Sequence, residues 1–251
     1  MIAYITGATS GFGKAIARKL AQLKYDLVIT GRRKERLEEL AATLQQGYQI
    51  KVLVSQYDVR DYEAVKQAIE NLPEEWKNID VLVNNAGLAL GLGGIQNGDI
   101  EDWNRMIDTN VKGLLNVSHF IMPLMVAKKS GYIINIGSVA GKEVYPNGNV
   151  YCCTKHAVDA ISKAMRVDML PYGIKVSQIC PGAADTEFSL VRFKGDKNAA
   201  DNVYKGYKPL YAEDIADVVG YLVSMPKHVC INDLVITCTS QANSTNFYKQ
   251  L

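Results

Sequence analysis

The sequence of 251 residues has no run of like charge, no long apolar stretch and no close cluster of metal-binding side chains. Lysine and arginine number 28 against 26 aspartate and glutamate, and a scattered net charge of +2 offers neither a nucleic-acid surface nor a basic face for an anionic membrane. No apolar segment approaches the roughly 18 residues that a membrane-spanning helix requires. Five cysteines, an odd number, occur without a CxxC or Cys/His ligand spacing. That argues against a disulfide framework and a structural zinc site, and it fits a reducing, cytoplasmic setting. The three histidines, His119, His156 and His228, show no convergent spacing, so no metal site is expected. No repeat, low-complexity tract or Pro/Gly/Ser-rich linker divides the chain, and residues 1–251 read as one domain. The opening MIAYITGATSG begins on a strand-like run, without the basic and apolar regions of a signal peptide.

What the sequence does contain is an alternation. Short β-branched apolar runs at 2–6, 26–31, 50–59, 79–87, 131–138, 173–181 and 233–238 are separated by helical segments. In the first of these, KAIARKLAQL, Ile16, Leu20 and Leu23 form one apolar stripe; residues 33–46, 61–72, 99–127, 150–171 and 212–224 read as further helices. Strands that are apolar throughout and alternate with helices predict an α/β fold: a doubly wound, seven-stranded parallel sheet with helices on both faces. Residues 185–209 break the rhythm beyond the sixth strand, where such sheets bind ligands. They read as a substrate loop, with a mobile surface loop as the alternative.

ITGATSGFGK lies between the first strand and the first helix. Gly7, Gly11 and Gly13, with Thr9, Ser10 and Phe12 between them, suit a turn that lets a pyrophosphate reach backbone amides at a helix N-terminus. A dinucleotide is therefore expected. At the end of the second strand, where a carboxylate would bind a free ribose 2′-hydroxyl, the sequence reads TGRRKERL. Arg32 or Arg33 can pair with a 2′-phosphate, which favours NADP over NAD. Asp58, followed by Val59, ends the third strand as a candidate to face adenine. Asn85, Ala86 and Gly87 end the fourth with small residues that let the cofactor pass close to the sheet.

VYCCTKHA puts Tyr151 and Lys155 at i and i+4, on one helix face. A phenol with an ordinary pKa of about 10 must fall by roughly three units, about 4 kcal/mol, to exchange protons near neutrality. A nearby ammonium and a positive nicotinamide ring both act in that direction. Ser138, thirteen residues before Tyr151, can hold a substrate oxygen beside the phenol. Asn110 has an amide able to bend its helix and to hold a water passing protons towards Lys155. Cys152 and Cys153 are expected to pack rather than react, since no histidine stands at a suitable strand end.

TGATSGFG, NNAG, Asn110, Ser138, YCCTK and PGAADT fall in the order found in the short-chain dehydrogenase/reductase family, which the chain resembles over essentially its whole length. The resemblance implies a single-domain Rossmann fold, a catalytic tetrad of Asn110, Ser138, Tyr151 and Lys155, no catalytic metal, and assembly as a homotetramer. It also implies that Pro181 and Gly182 shape a turn and that Thr186 lies near the cofactor carboxamide. GRRKERL, LVNNAGLALG, INIGSVAG and TEFSLVRFKGD look like the branch of NADP-dependent 3-hydroxy acid dehydrogenases, which act on serine and L-allo-threonine at the β-hydroxyl. An anionic substrate needs a cation, and Arg192 or Lys194 follows the sixth strand to provide one, with Phe188 nearby as a further substrate contact. The expected reaction is reversible oxidation of small 3-hydroxy acids, 3-hydroxypropionate included, to 3-oxo acids with NADP. A broader NADPH-dependent carbonyl reductase is the alternative. A regulator that only senses NADPH is the third reading, and relatives of that kind lose the Tyr or the Lys.

Overall fold

The apolar runs become strands whose two faces are both covered by helices. The computed structural model describes residues 1–250. It contains β1 Ile2–Ile5, β2 Asp26–Gly31, β3 Val52–Gln56, β4 Ile79–Asn84, β5 Gly131–Ile136, β6 Ile174–Pro181 and β7 Asp233–Ile236. All pair in parallel in one sheet ordered β3-β2-β1-β4-β5-β6-β7. The helices are α1 Gly11–Gln22, α2 Lys34–Tyr48, α3 Tyr62–Glu70, α4 Ile100–Ile107, α5 Gly113–Lys128, α6 Asn149–Met169, α7 Glu187–Arg192, α8 Lys197–Val203 and α9 Ala212–Ser224. This is the expected doubly wound Rossmann architecture.

Successive strand residues point to opposite faces, so the strands feed two cores at once. Ile5, Leu27 and Ile29 pack with Ile16 and Leu20 of α1, Leu37 of α2 and Val219 of α9. Tyr4, Val28, Leu82 and Ile133 face the other way, against Val65 of α3, Val117 and Ile121 of α5 and Val158 of α6. Each large aliphatic side chain so buried contributes about 1.5–3 kcal/mol. The chain reverses its direction of winding between β1 and β4, and the carboxyl ends of the strands at that reversal form the floor of a cleft.

Several elements differ from the sequence expectation: the strands expected over 50–59, 131–138 and 233–238 are trimmed to Val52–Gln56, Gly131–Ile136 and Asp233–Ile236, so Asp58 lies two residues beyond its strand instead of ending it. The strand expected over 79–87 stops at Asn84, because Asn85, Ala86 and Gly87 leave the sheet to line the cleft. The single helix expected over 99–127 is α4 and α5 joined by a π-helical turn at Asp108–Lys112. Asn110 sits in that turn, where its amide is drawn to neighbouring segments. Residues 185–209 are not a structureless loop but carry α7, capped by Thr186, and α8, capped by Asp196.

Behind the cleft a set of buried amides joins the layers. Asn84 Nδ2 donates to Ser118 Oγ of α5 (3.0 Å) and to Asn135 Oδ1 of β5 (2.9 Å), and Asn135 Nδ2 donates to Ser162 Oγ of α6 (2.9 Å). The strand ends and the helices flanking the cleft are thereby held at fixed separation. Asn135→Ala strands two buried partners, and urea unfolding is expected to show a loss of about 1–3 kcal/mol. A loss below 0.5 kcal/mol would mean the amides have no such role.

Candidate active site

At the β1–α1 turn, Gly7 has φ +67° and Gly11 φ +50°, left-handed conformations that favour glycine. A side chain at Gly13 would overlap the Gly7 carbonyl oxygen, so helix and strand approach as closely as glycine permits. Asn85 Nδ2 donates to the carbonyls of Thr6 (2.8 Å) and Gly7 (3.2 Å), while Thr6 Oγ1 accepts from the backbone amides of Asn85 and Ala86 (both 3.0 Å). These bonds fix the β4 turn against the glycine turn. Ser10, the residue capping α1, makes no side-chain cap bond, which leaves first-turn amides free for an anion. The donor set and the glycine cradle fit a dinucleotide pyrophosphate.

Arg33 is drawn into this turn. Its Nε donates to Thr9 Oγ1 (3.1 Å) and its Nη2 to Thr9 Oγ1 (2.7 Å) and Ser10 Oγ (2.8 Å). Arg32 is more exposed, with one nitrogen 3.9 Å from Asp58. Asp58 itself is gripped by Arg60 at 2.7 to 3.1 Å and, against its partial burial, held below the usual carboxylate range by that arginine. Val59 lines the same wall.

The cleft, with a cavity of about 520 Å³, runs from Arg32 and Arg33 past the glycine turn to Tyr151. Of the cofactor, catalytic and substrate candidates named from the sequence, Gly13 and Asn110 are not among the lining residues and Lys194 lies outside the cleft; the others line it. Tyr151 and Lys155 are both buried on α6, with Lys155 Nζ 6.0 Å from the Tyr151 ring centroid and donating to the Ile136 carbonyl (2.9 Å). Ser138 caps a short turn after β5, its Oγ accepting from Ala140 N at 3.1 Å. A side chain at Gly87 would come within 3.3 Å of Asn110 Oδ1 and 3.7 Å of Lys155 Nζ, so glycine keeps this corner open.

The electrostatics correct one expectation. Among the chain's own groups, burial dominates and pushes the Tyr151 phenol well above its ordinary value; the neighbouring Tyr145 adds to this, while Ser138 and Arg192 pull it down. Lys155 is not among the groups that acidify it. Burial pushes the Lys155 amine itself down to about 8, with no carboxylate to restore it. Asn110 braces the π-turn: its Oδ1 accepts from Leu88 N (2.9 Å) and its Nδ2 donates to Leu88 O (2.8 Å) and Thr154 Oγ1 (3.0 Å), so both amide protons are committed and Oδ1 alone keeps a lone pair for a further donor.

Arg192, at the end of α7, lies with its Cζ 5.7 Å from the Tyr151 ring centroid and 5.5 Å from that of Tyr145. Its Nε donates to the Gly91 carbonyl at 3.3 Å, and among the described residues it makes no ion pair. Phe188 stands 5.6 Å from Tyr151, centroid to centroid. Lys194, two residues on, instead pairs with Asp102 (2.8 Å) and Asp99 (3.4 Å) at the surface. Thr186 faces Gly11 across the cleft and caps α7 through Phe188 N (3.2 Å). Cys152 is packed as expected, but Cys153 is exposed.

Sequence reasoning missed Tyr145 and Glu187, and it took the segment after β7 only as part of the family resemblance, without its individual contacts. Gln241 Oε1 accepts from Ala183 N (2.8 Å), Phe247 packs on Tyr207 at 5.1 Å, and Gln250 N donates to the Gly206 carbonyl at 2.8 Å. Ser244, Phe247 and Lys249 thereby reach the cleft. No periodicity marks these residues.

A doubly wound sheet with a glycine cradle, arginines at the ribose end and a buried Tyr/Lys pair at the other defines an oxidoreductase that uses a phosphorylated nicotinamide dinucleotide. The sequence profile described as short chain dehydrogenase matches residues 1–196, and the chain belongs to that family. It is 46% identical over 242 residues to sulfoacetaldehyde reductase 2 of Chromohalobacter salexigens, covering 96% of this chain and 95% of the relative. It is 43% identical over 238 residues to serine 3-dehydrogenase of Rhizobium radiobacter, covering 95% and 94%. A solved closed form of serine dehydrogenase complexed with NADP+ superimposes with a TM-score of 0.93 at 42% identity, each chain fully covered. The protein is an NADP-dependent oxidoreductase. No helix among the described residues is long and apolar enough to cross a membrane.

The depressed Lys155 carries a stability signature. Below pH 8 the amine is protonated in folded and unfolded chains alike, so the burial penalty is fully present; between pH 8 and 10.5 the folded chain sheds the proton first and the penalty fades. Lys155→Met is therefore expected to be the more stable protein at pH 7, by at most about 3 kcal/mol, with the gap closing as pH rises towards 10. Urea unfolding at pH 7, 8.5 and 9.5 measures it, and a gap independent of pH would refute the assignment.

Proposed function

We propose that this enzyme reversibly oxidises the β-hydroxyl of small 3-hydroxy acids, such as serine, L-allo-threonine and 3-hydroxypropionate, to the 3-oxo acids. The observation that carries the reading is Arg192: a guanidinium without a carboxylate partner among the described residues, set 5.7 Å from the ring of Tyr151. A carboxylate held there in a two-point contact leaves the β-carbon of the same molecule facing the phenol. Phe188 and Tyr145 close the sides and exclude water.

When bound, NADP+ supplies the hydride acceptor and a positive ring. In its phenolate form, which the positive ring of bound NADP+ would favour against burial, Tyr151 takes the proton of the substrate hydroxyl as the carbon–hydrogen pair leaves as hydride, so that a 3-hydroxy acid and NADP+ give the 3-oxo acid and NADPH; the proton passes on from the phenol to solvent, and in reduction the protonated phenol supplies it. Ser138 holds the reacting oxygen. Lys155, its pKa brought to about 8 by burial, is poised to exchange protons near neutral pH and to bond the cofactor ribose. Asn110 fixes the π-turn beside Thr154 and so acts through position. The turn at Gly7, Ser10 and Gly11 receives the pyrophosphate, with Gly13 letting the helix pack close behind it; Thr186 stands by the carboxamide, and Arg33, seated on Thr9 and Ser10, takes the 2′-phosphate.

The relative that reduces sulfoacetaldehyde supports a second reading of the same pocket. A sulfonate separated by one carbon from an aldehyde has the anion-to-reacting-carbon spacing of a 3-hydroxy acid. An assay of NADPH formation with L-serine, L-allo-threonine, 3-hydroxypropionate and isethionate, with NADPH consumption on sulfoacetaldehyde, ranks the two anions. Turnover only of uncharged ketones favours a plain carbonyl reductase, and no turnover at all favours a sensor.

Two variants test the roles. Arg192→Ala is expected to raise KM for the best anionic substrate about 10- to 100-fold, with a smaller change in kcat, because a charge-assisted contact contributes about 1.5–3 kcal/mol; an unaltered KM sinks the assignment. Tyr151→Phe is expected to lower kcat by at least about 100-fold while NADP+ still binds, as read by fluorescence titration.

A further inference from the structure

One side chain ties the two ends of the cleft together. Glu187, the first residue of α7, accepts from Arg33 Nη1 (3.0 Å) through one carboxylate oxygen and from Arg36 Nη1 (2.8 Å) through the other. Arg33 belongs to the ribose end of the cleft, where its remaining nitrogens hold Thr9 and Ser10. Both hydroxyls accept from the guanidinium and keep their own protons free to donate to an anion. A 2′-phosphate held by Arg33 therefore meets an arginine already engaged by Glu187.

The other end of the same helix reaches the chemistry. α7 has six residues, so Glu187 and Arg192 are its two termini, about 7.5 Å apart along the axis. Arg192 and Phe188 both pack near the Tyr151 ring. A helix this short moves as one piece. Its attachment to the ribose end consists of exposed ion pairs, with side chains 40 to 48% accessible, which hold weakly in water and respond readily to a new charge.

We propose that Glu187 is a positioning residue through which occupancy of the 2′-phosphate site at Arg33 fixes α7, and with it Arg192 and Phe188, over Tyr151. This rests on the reading of Arg33 as the phosphate partner. Phosphate immobilises the guanidinium, the immobilised guanidinium holds the carboxylate, and the carboxylate holds the helix. The preference for NADP is then exerted twice, in dinucleotide binding and again in the grip on the anionic substrate.

Hydrogen exchange of residues 187–204 in the full chain reads the coupling directly, with NADP+ or NAD+ at saturating concentration for each variant. In the unaltered protein, exchange is expected to be at least about fivefold slower with NADP+ than with NAD+. In Glu187→Gln the two are expected to agree within twofold, and Glu187→Asp, which keeps the charge, restores part of the difference. The KM for 3-hydroxypropionate or sulfoacetaldehyde, whichever is turned over, should show the same pattern of ratios, while a merely structural Glu187 would change both coenzyme forms alike. The proposal is overturned if Glu187→Gln keeps the full NADP+/NAD+ difference or if the unaltered protein has none. Arg33→Ala separates the two levels: an unchanged ratio of NADP+ to NAD+ dissociation constants removes the underlying reading of Arg33. A collapsed ratio beside an intact exchange difference in Glu187→Gln removes the coupling alone.

Discussion

Desolvation is the force on which this active site depends. Lys155 and Tyr151 lie on one face of α6, both buried at the base of the cleft, and no carboxylate compensates the amine. Burial drives the amine down to about 8 and the phenol upward, so each is pressed towards its neutral form. A neutral phenol beside a readily titrated amine can lend and recover a proton, provided that positive charge arrives with the cofactor. Surrounding features serve this arrangement: the β5 carbonyl of Ile136 that engages the amine, the π-turn that carries Asn110, and the glycine at position 87 that leaves the corner open.

A second cation works by contrast with the first. Arg192 lies against the faces of Tyr145 and Tyr151, where attraction to the rings holds the guanidinium without neutralising it. A carboxylate partner would have held it as well and left nothing for a substrate. Lys194 illustrates that outcome, since Asp99 and Asp102 already occupy its ammonium. The relatives are named for compounds as different as serine and sulfoacetaldehyde, both of which carry an anionic group, and an unpaired Arg192 suits the anionic substrates proposed above.

The walls that complete the cleft come from segments far apart in sequence. The strand ends supply the floor, while α7 and the tail after β7 form a cover tied down by a few hydrogen bonds, such as Gln250 to Gly206 and Gln241 to Ala183. The buried amides linking β4, β5, α5 and α6 brace the floor beneath this cover.

The sheet was legible because parallel strands buried on both faces must be apolar throughout, and the glycine turn was legible because no other residue fits its backbone. Tyr151 and Lys155 were readable as a pair since helical spacing alone puts them on one face. Other choices were not open to sequence. Arg192 and Lys194 stand two residues apart with the same charge, yet Arg192 closes α7 and turns to the cleft while Lys194, at φ +52°, turns to two aspartates. Arg33 rather than Arg32 meets the glycine turn, and Glu187 finds both Arg33 and Arg36 from more than 150 residues away. Local pattern determined which elements form and which side chains share a helix face. The neighbours of each charge, and therefore its protonation and its freedom to bind, were decided by tertiary packing, because the Coulomb and desolvation energies that set them depend on distances in space and not on separation along the chain.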